Sequence, residues 1–577
     1  MTTECKIGVY VCSCGTNIGK MVDCDAVTGY TKNLPGVAVC KSYKYMCSNP
    51  GQEMIVKDIQ RYGLDRVVVA ACSPRMHEPT FRAAISHGGL NPYYLEMANI
   101  REQCSWVHDD HQQATDKAKA LTCAAVKRVP FHEPFDMQSV PMNSASLVIG
   151  GGVAGLTAAL ELADANQPVY LVEKDGKLGG NLARIDLTSP YLDSAKDLLA
   201  ERICRVTKNP KITVMLNSEV ESISGYVGNF KAQIKSNGEA VTDIEIGSII
   251  VCTGFREFDA SKVGEYGYGR FPNVVTSFDL EKMLKEGRVV MKDGKTPKYV
   301  TIINCVGSRS GKYNRYCSRV CCMTALKYAN GIKSAAPDAF ITNLYTDMNA
   351  FGKGCEDFYR RSAERDTIFM MFDKHAPPTV SAAGKGEHFN MLVKVNEILS
   401  GEEVEIPADM VVLMVGMEAR EDSMNVARLV NISRDKDGWF IESHPKLDPV
   451  ATSTDGVFIA GACASPKDIP DTVAQARATT ARILAKICQG EIWVEPVYAE
   501  INEDLCSGCR VCNELCPYSA IDYDPVKKRS AIISVMCKSC GGCVAGCPSG
   551  AIKARHFTDK QIFEQIEGVL EWASSRA

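Results

Sequence analysis

The sequence predicts an α/β fold in three parts: a small α/β domain, a long α/β region and a short α+β lobe. Three observations predict it. Near the N-terminus, strand-like runs such as IGVYVC and RVVVAAC alternate with helical-looking stretches. Between Leu147 and Glu173 a strand, a glycine-rich turn, a helix and a second strand follow in order. Near the C-terminus one cysteine run stands twice: Cys506-x-x-Cys509-x-x-Cys512-x-x-x-Cys516-Pro517, and Cys537-x-x-Cys540-x-x-Cys543-x-x-x-Cys547-Pro548.

The expected parts are residues 1–129, a proline-containing linker at 130–142, a long region at 143–495 and the lobe at 496–577. The chain has 577 residues, 45% of them hydrophobic, enough for several cores at ~100–200 residues per domain. A net charge of −4 leaves no basic footprint for nucleic acid and no polybasic membrane patch. No apolar run approaches ~18 residues, so no transmembrane helix is expected. Twenty-six cysteines would suggest disulfides in a secreted chain. The start MTTECKIGVYVCSCG has no basic stretch followed by an apolar one. Thiolate ligands in a reducing cytoplasm are therefore expected.

The lobe carries the plainest chemistry. Its spacing is that of bacterial ferredoxins, where each run gives three thiolates to one cluster and its fourth to the other. One [4Fe–4S] centre is assigned Cys506, Cys509, Cys512 and Cys547; the second takes Cys537, Cys540, Cys543 and Cys516. After the lobe, Ile562, Phe563, Ile566, Val569, Leu570 and Trp572 mark an amphipathic helix over 558–577. It is expected to pack on the lobe or on a partner subunit.

In the long region, Gly150-x-Gly152-x-x-Gly155 follows a strand and opens a helix. Gly150 permits the tight turn, Gly152 lets the backbone approach a pyrophosphate, and Gly155 lets helix and strand pack closely. The helix N-terminus offers free N–H groups to the phosphates. Glu173 falls where a carboxylate bonds a ribose hydroxyl. Lys177-Leu178-Gly179-Gly180-Asn181 and the later Gly461-Ala462 favour FAD, and the region resembles the thioredoxin-reductase-like two-dinucleotide flavoproteins. Those carry an acid after the glycine of the second signature; here Ala462 stands there. A helix from near Thr472 would aim its N-terminus at the flavin. Lys467 and Asp468 are placed to tune the flavin or to enter and cap that helix. The candidate FAD contacts are Gly150, Gly152, Val153, Ala154, Gly155, Glu173, Lys174, Gly179, Gly180, Asn181, Gly461, Ala462, Lys467, Asp468 and Ile469.

A second glycine turn for NAD(P)H is expected after the strand at 299–304. Cys305-Val306-Gly307-Ser308-Arg309-Ser310-Gly311 stands there instead, with Cys317, Cys321 and Cys322 following. Three readings remain open on pattern alone. The four thiols ligate an irregular cluster, or Cys317 and Cys321 form a redox dithiol, or some of them pack in a buried helix. The nine histidines show no metal spacing.

The stretches VYVCSCGTNIG, YKYMCSNPGQE, ACSPRMHEPTFR, LNPYYLEMANIREQCSWVH, NCVGSRS, YCSRVCCMTALKYA and GACASPKDIPDTVAQA resemble the HdrA-type polypeptides of heterodisulfide reductase, which carry flavin and iron–sulfur clusters and bifurcate electrons. The resemblance spans nearly the whole chain. It implies a cluster on Cys305, Cys317, Cys321 and Cys322, and an N-terminal cluster on four of Cys12, Cys14, Cys47, Cys72 and Cys104, with Cys104 left out. About four clusters and one FAD follow. The implied partners are heterodisulfide-reductase B/C-type subunits, ferredoxin and an electron-input module of hydrogenase or formate-dehydrogenase type, around a homodimer. Larger relatives carry an inserted ferredoxin domain; no further CxxCxxC run lies between Gly180 and Tyr299, so this is a short form. Two alternatives stand beside bifurcation: an NAD(P)H-dependent flavoprotein reductase with a fused ferredoxin, and a non-bifurcating electron relay within a membrane-linked complex.

Overall fold

The computed structural model describes residues 5–574, which fall into two compact units: residues 1–139 with 493–577, and residues 140–492. The N-terminal segment and the C-terminal lobe, separate domains in the sequence reading, thus cluster as one unit.

That unit opens with a four-stranded parallel sheet, ordered Val37–Tyr43, Ile7–Cys12, Arg66–Ala71, Leu95–Asn99. All six residues of Ile7–Cys12 are buried, as a parallel strand covered on both faces requires. The helices Asn49–Tyr62 and Pro74–His87 start with proline in their first turn; the former ends at Gly63, whose φ of 59° closes it in the left-handed region. The lobe is built from two short hairpins, Ala499–Ile501 with Ile552–Ala554 and Ile521–Asp524 with Arg529–Ile532, and two five-residue helices, Val511–Leu515 and Gly542–Gly546.

The C-terminal helix spans Asp559–Ser574 and packs on the helix His111–Arg128 of the N-terminal segment, not on the lobe; expected residues 575–577 lie outside the described ones. Its packing face also differs from the pattern. Ile562, Phe563, Ile566, Val569 and Leu570 are 38–63% exposed, while Gln561 and Gly568 are buried. The reason is close approach. A Cβ on Gly568 would stand 2.7 Å from Ala124 Cα, so only glycine lets the two helices meet there. Gln561 Nε2 donates to Phe131 O (2.9 Å), and Lys127 pairs with Glu571 (2.6 Å). Gly568→Val is expected to cost about 1–3 kcal/mol of overpacking and to release this helix, read as faster proteolysis near the C-terminus with the flavin spectrum unchanged.

The second unit holds two five-stranded parallel sheets. The first runs Ile212–Met215, Val169–Val172, Ser146–Ile149, Ser248–Val251, Val457–Ile459. The second runs Val274–Thr276, Met410–Val415, Tyr299–Val306, Phe340–Tyr345, Thr367–Met371. Each is accompanied by a three-stranded antiparallel sheet, Ser218–Tyr226/Asn229–Ser236/Ala240–Ile246 and Thr379–Ala382/Met391–Asn396/Glu403–Ala408. This is the two-dinucleotide architecture, and in such sheets sites form beyond the carboxyl ends of the strands.

Candidate functional site

The strand Ser146–Ile149 ends in Gly150, at φ 110°, and the helix Val153–Asp164 begins three residues later. A Cβ on Gly155 would lie 1.9 Å from Gly150 O, whereas one on Gly152 would meet nothing within 4 Å. Gly155 therefore permits the helix to touch the turn, and Gly152 leaves the turn open to a pyrophosphate. Gly179 N donates to Gly151 O (2.9 Å), closing the loop 177–181 over the turn. Glu173 faces the loop itself: Oε2 accepts from Gly151 N–H (2.6 Å) and Oε1 from Asp175 N–H (2.9 Å). Its carboxylate keeps free lone pairs for a ribose hydroxyl.

A cavity of about 1610 Å³ extends from this turn, above the roughly 300–1,000 Å³ of ordinary ligand pockets. Gly150, Gly152, Val153, Ala154, Glu173, Lys174, Gly180, Asn181, Ala462, Lys467, Asp468 and Ile469 line it; Gly155, Gly179 and Gly461 do not. Gly461, at φ 83°, would drive a Cβ to 2.9 Å from Ala154, so it brings the second signature against the first helix. Asn181 Nδ2 donates to Phe255 O (3.1 Å), and Lys174 pairs with Asp422 (2.8 Å). The helix expected from Thr472 begins earlier, at Ile469. Asp468 Oδ1 accepts from Asp471 N–H (2.8 Å), and Pro470 fits the first turn. Lys467 donates to Ser465 Oγ (2.6 Å), and burial lowers its pKa.

Sequence reading missed a buried pair in the cavity wall, Lys327 Nζ with Glu281 Oε2 at 2.5 Å. No motif announces it, because its members lie on two helices, Ser277–Lys285 and Cys321–Ala335.

Cys305 lies near the end of the central strand of the second sheet, at φ 64°, and Cys321 and Cys322 open the next helix. The intervening loop is pinned by Arg309 N to Tyr316 O (3.0 Å), Ser308 Oγ to Ser318 Oγ (2.7 Å) and Met417 N to Ser318 Oγ (2.9 Å). Arg319 N donates to Cys317 Sγ (3.3 Å), while the Arg319 side chain pairs with Asp471 (2.6 Å) and that of Arg309 with Asp347. Burial holds the Cys321 thiol well above its usual range, and Cys305, Cys322 and Cys317 add to this. Cys322 is pushed up to about 11 by burial, with Cys305 and Cys317 contributing. The structure thus brings all four thiols together, and their proximity adds to the cost of ionising Cys321 and Cys322. A cationic cluster core relieves that conflict. Cys321 also lines the flavin cavity.

In the N-terminal sheet, Cys12 ends one strand, Cys72 follows another, and Cys14 and Cys47 lie in the loops beyond strand ends. Burial raises the Cys12 pKa, with Cys14 and Cys47 adding to it; Cys72 is pushed up to about 11 by burial, with Cys12 and Cys47 among its neighbours. Cys104 stands apart: burial lifts it to about 11, and its charged neighbour is Lys117.

In the lobe, Cys506, Cys509, Cys512 and Cys547 line one small cavity, and Cys516, Cys537, Cys540 and Cys543 line another. Gly508 and Arg510 in the first run, and Ser539 and Gly541 at the matching places in the second, all have left-handed φ of 51–77°. Such residues turn successive N–H groups to one side, a nest suited to a cluster. Cys547→Ser is expected to disrupt the centre of the other run. Its reduced electron paramagnetic resonance spectrum should match that of Cys509→Ser and differ from that of Cys540→Ser.

Residues 145–290 match the family described as pyridine nucleotide-disulphide oxidoreductase, and residues 505–564 the 4Fe-4S dicluster domain. The chain is 38% identical to the iron-sulfur A-type component of CoB--CoM heterodisulfide reductase from Methanocaldococcus jannaschii, over 98% of each chain. It is 40% identical to the A-type component of the H(2):CoB-CoM heterodisulfide,ferredoxin reductase of Methanothermobacter thermautotrophicus, again over 98% of each. Among solved structures it is similar to thioredoxin reductase of T. acidophilum, at 19% identity and a TM-score of 0.40, covering 60% of this chain and 99% of that one. With FAD and [4Fe–4S] clusters as its cofactors, the chain is an oxidoreductase that belongs to the A-type iron–sulfur family of heterodisulfide reductase.

Proposed function

We propose that this chain splits electron pairs at its flavin, sending one electron toward a disulfide-reducing branch and the other toward ferredoxin, within a heterodisulfide-reductase-type complex. The observation that carries this reading is Cys321, which belongs both to a four-thiol group and to the wall of the flavin cavity. A cluster on Cys305, Cys317, Cys321 and Cys322 would meet the flavin without an intervening domain. A bound flavin supplies the conversion between paired and single electrons. The residues then have separate tasks. The open turn at Gly152 and the helix N-terminus at Val153 hold phosphate. Lys467, with its ammonium disfavoured by burial, can hold or release a proton at Nζ. Three further thiol quartets, at Cys12/14/47/72 and in the lobe, bring the expected total to four centres.

A direct NAD(P)H donor fits less well. In the second sheet the turn after Tyr299–Val306 has Gly307 at φ 79°, where a Cβ would fall 2.2–2.5 Å from the Phe258 ring. An aromatic ring thus crowds this turn, whereas Gly152 in the first sheet's turn faces open space. The names of relatives suggest the partners: hydrogen and ferredoxin for that of M. thermautotrophicus, hydrogen or formate for that of Methanococcus maripaludis. We infer B/C-type disulfide-reducing subunits and a hydrogenase or formate-dehydrogenase module as neighbours. Alignment with the M. jannaschii relative runs over 653 positions against 577 residues here, in keeping with a short form.

Anaerobic purification with iron, sulfide and flavin analysis and identification of copurifying proteins tests the reading. About sixteen irons, four per cluster, with one FAD and partners of those types, support it. About eight irons, or flavin bleached directly by NAD(P)H, would sink it.

A further inference from the structure

A third kind of ligand set lies in the first unit, with no cysteine among its members. Glu96 sits on the strand Leu95–Asn99, His132 just past the helix His111–Arg128, and His556 just past the strand Ile552–Ala554. They are 8%, 2% and 8% exposed. One ligand atom from each lies within 4.8 Å of the other two. The two imidazole rings are 4.1 Å apart between centroids.

These rings are short of partners. Neither nitrogen of His132 makes a hydrogen bond, although Nε2 stands 3.1 Å from Glu96 Oε2; His556 Nδ1 makes none either. A buried polar atom left this way has given up its hydrogen bonds to water with nothing in return. His556 further adopts φ 64°, a conformation that costs a non-glycine residue energy unless its surroundings enforce it. Arg128 does the enforcing: Nη1 donates to Glu96 Oε1 (3.0 Å) and Nη2 to His556 O (2.7 Å). One arginine thus orients two of the three groups from behind, as an outer shell does for metal ligands, and leaves Glu96 Oε2 facing the rings. The positive charges nearby are already met. Arg128 pairs with Glu96, and Arg82 with Glu78 (2.7 Å) and Glu495 (3.1 Å).

We propose that Glu96, His132 and His556 bind a zinc ion that ties the two-cluster lobe to the N-terminal sheet. Two imidazoles and a carboxylate are a known zinc donor set, with water in the fourth place. Ligand atoms in a tetrahedron of ~2.0–2.1 Å bonds stand about 3.4 Å apart, so a modest contraction of the trio completes the shell. Burial already keeps the rings from water, and the ion would join points more than four hundred residues apart in the chain, on the scale of the 428 between Arg128 and His556.

The test uses the full chain, purified anaerobically with its clusters. Zinc and iron are counted, and X-ray absorption is recorded at the zinc edge, where iron is silent. About one zinc per chain with nitrogen and oxygen at ~2.0–2.1 Å is expected. His132→Gln and His556→Gln should each reduce retained zinc roughly tenfold or more, with iron unchanged. Sulfur at ~2.3 Å would instead place zinc in a cysteine site and overturn the proposal, as would zinc retained in both variants. Should the variants not fold, the wild-type chain is treated with a chelator and given zinc back. A melting temperature that falls and recovers at constant iron supports the site; failure to take up zinc overturns it.

Discussion

Gly155→Ala yields a chain that purifies largely without flavin. The added methyl group would stand 1.9 Å from Gly150 O, and no side-chain rotation relieves a contact with backbone. Either the helix Val153–Asp164 lifts or the turn moves. The turn has little freedom, because a Cβ at Gly150 itself would be 2.5 Å from Cys252 O, a measure of how closely the neighbouring strand already presses on it. Overpacking of this kind costs about 1–3 kcal/mol, and at about 1.4 kcal/mol per tenfold even part of that, taken from the phosphate contacts, weakens FAD binding roughly tenfold or more. Gly152→Ala separates the two effects. Its methyl group meets no protein atom within 4 Å, so stability should hold while the phosphates are obstructed. The ratio of flavin to protein absorbance and the melting temperature, read for both variants, decide the matter. A full flavin complement in Gly155→Ala would refute this account of the turn.

Cys321→Ser leaves flavin in place and cuts its supply of electrons. Four irons of about sixteen should be lost, since replacing Cys321, which is 7% exposed, removes one of four thiolate ligands. Flavin binding should survive because the phosphate turn at Gly150–Gly155 belongs to a different strand–turn–helix from the one that carries Cys321. Reduction of the flavin by the electron-input partner should slow by at least the ~10–100-fold that loss of a supporting group costs a metal site. Rapid-mixing absorbance of the flavin and iron analysis measure both. Unchanged iron with unchanged reduction would return Cys321 to the role of a packing thiol.

What could be read from the sequence was what short spacing encodes. Gly150, Gly152 and Gly155 declare a phosphate turn because all three act within one strand–turn–helix, and the two ferredoxin runs declare two clusters because ligands three residues apart share one loop. Cys12, Cys14, Cys47 and Cys72 carry no such signal. They converge because parallel strands deliver their carboxyl ends to one edge, so only family resemblance picked them out. Glu96, His132 and His556 were invisible because they stand on three separate segments, the last of them more than four hundred residues beyond the others. The C-terminal helix misled in another way. Its apolar residues have helical spacing, yet Gly568 and Gln561 face the protein, since a close helix crossing rewards a small residue more than a large one. The early start at Ile469 came from Asp468 and Pro470, a cap and a first-turn proline that outweighed the more obvious Thr472.

The discontinuous first unit also sets an order of events during synthesis. Arg128 leaves the ribosome 428 residues before the His556 carbonyl that it binds. At ~5–20 residues per second, that is an interval of about 20–90 s. Throughout it the N-terminal sheet must hold its shape with the face of His111–Arg128 uncovered, while the whole flavin-binding unit forms between the two halves. The nascent chain is therefore most exposed to aggregation and to proteases around its N-terminal sheet, and residues made 428 positions later are the ones that end that exposure.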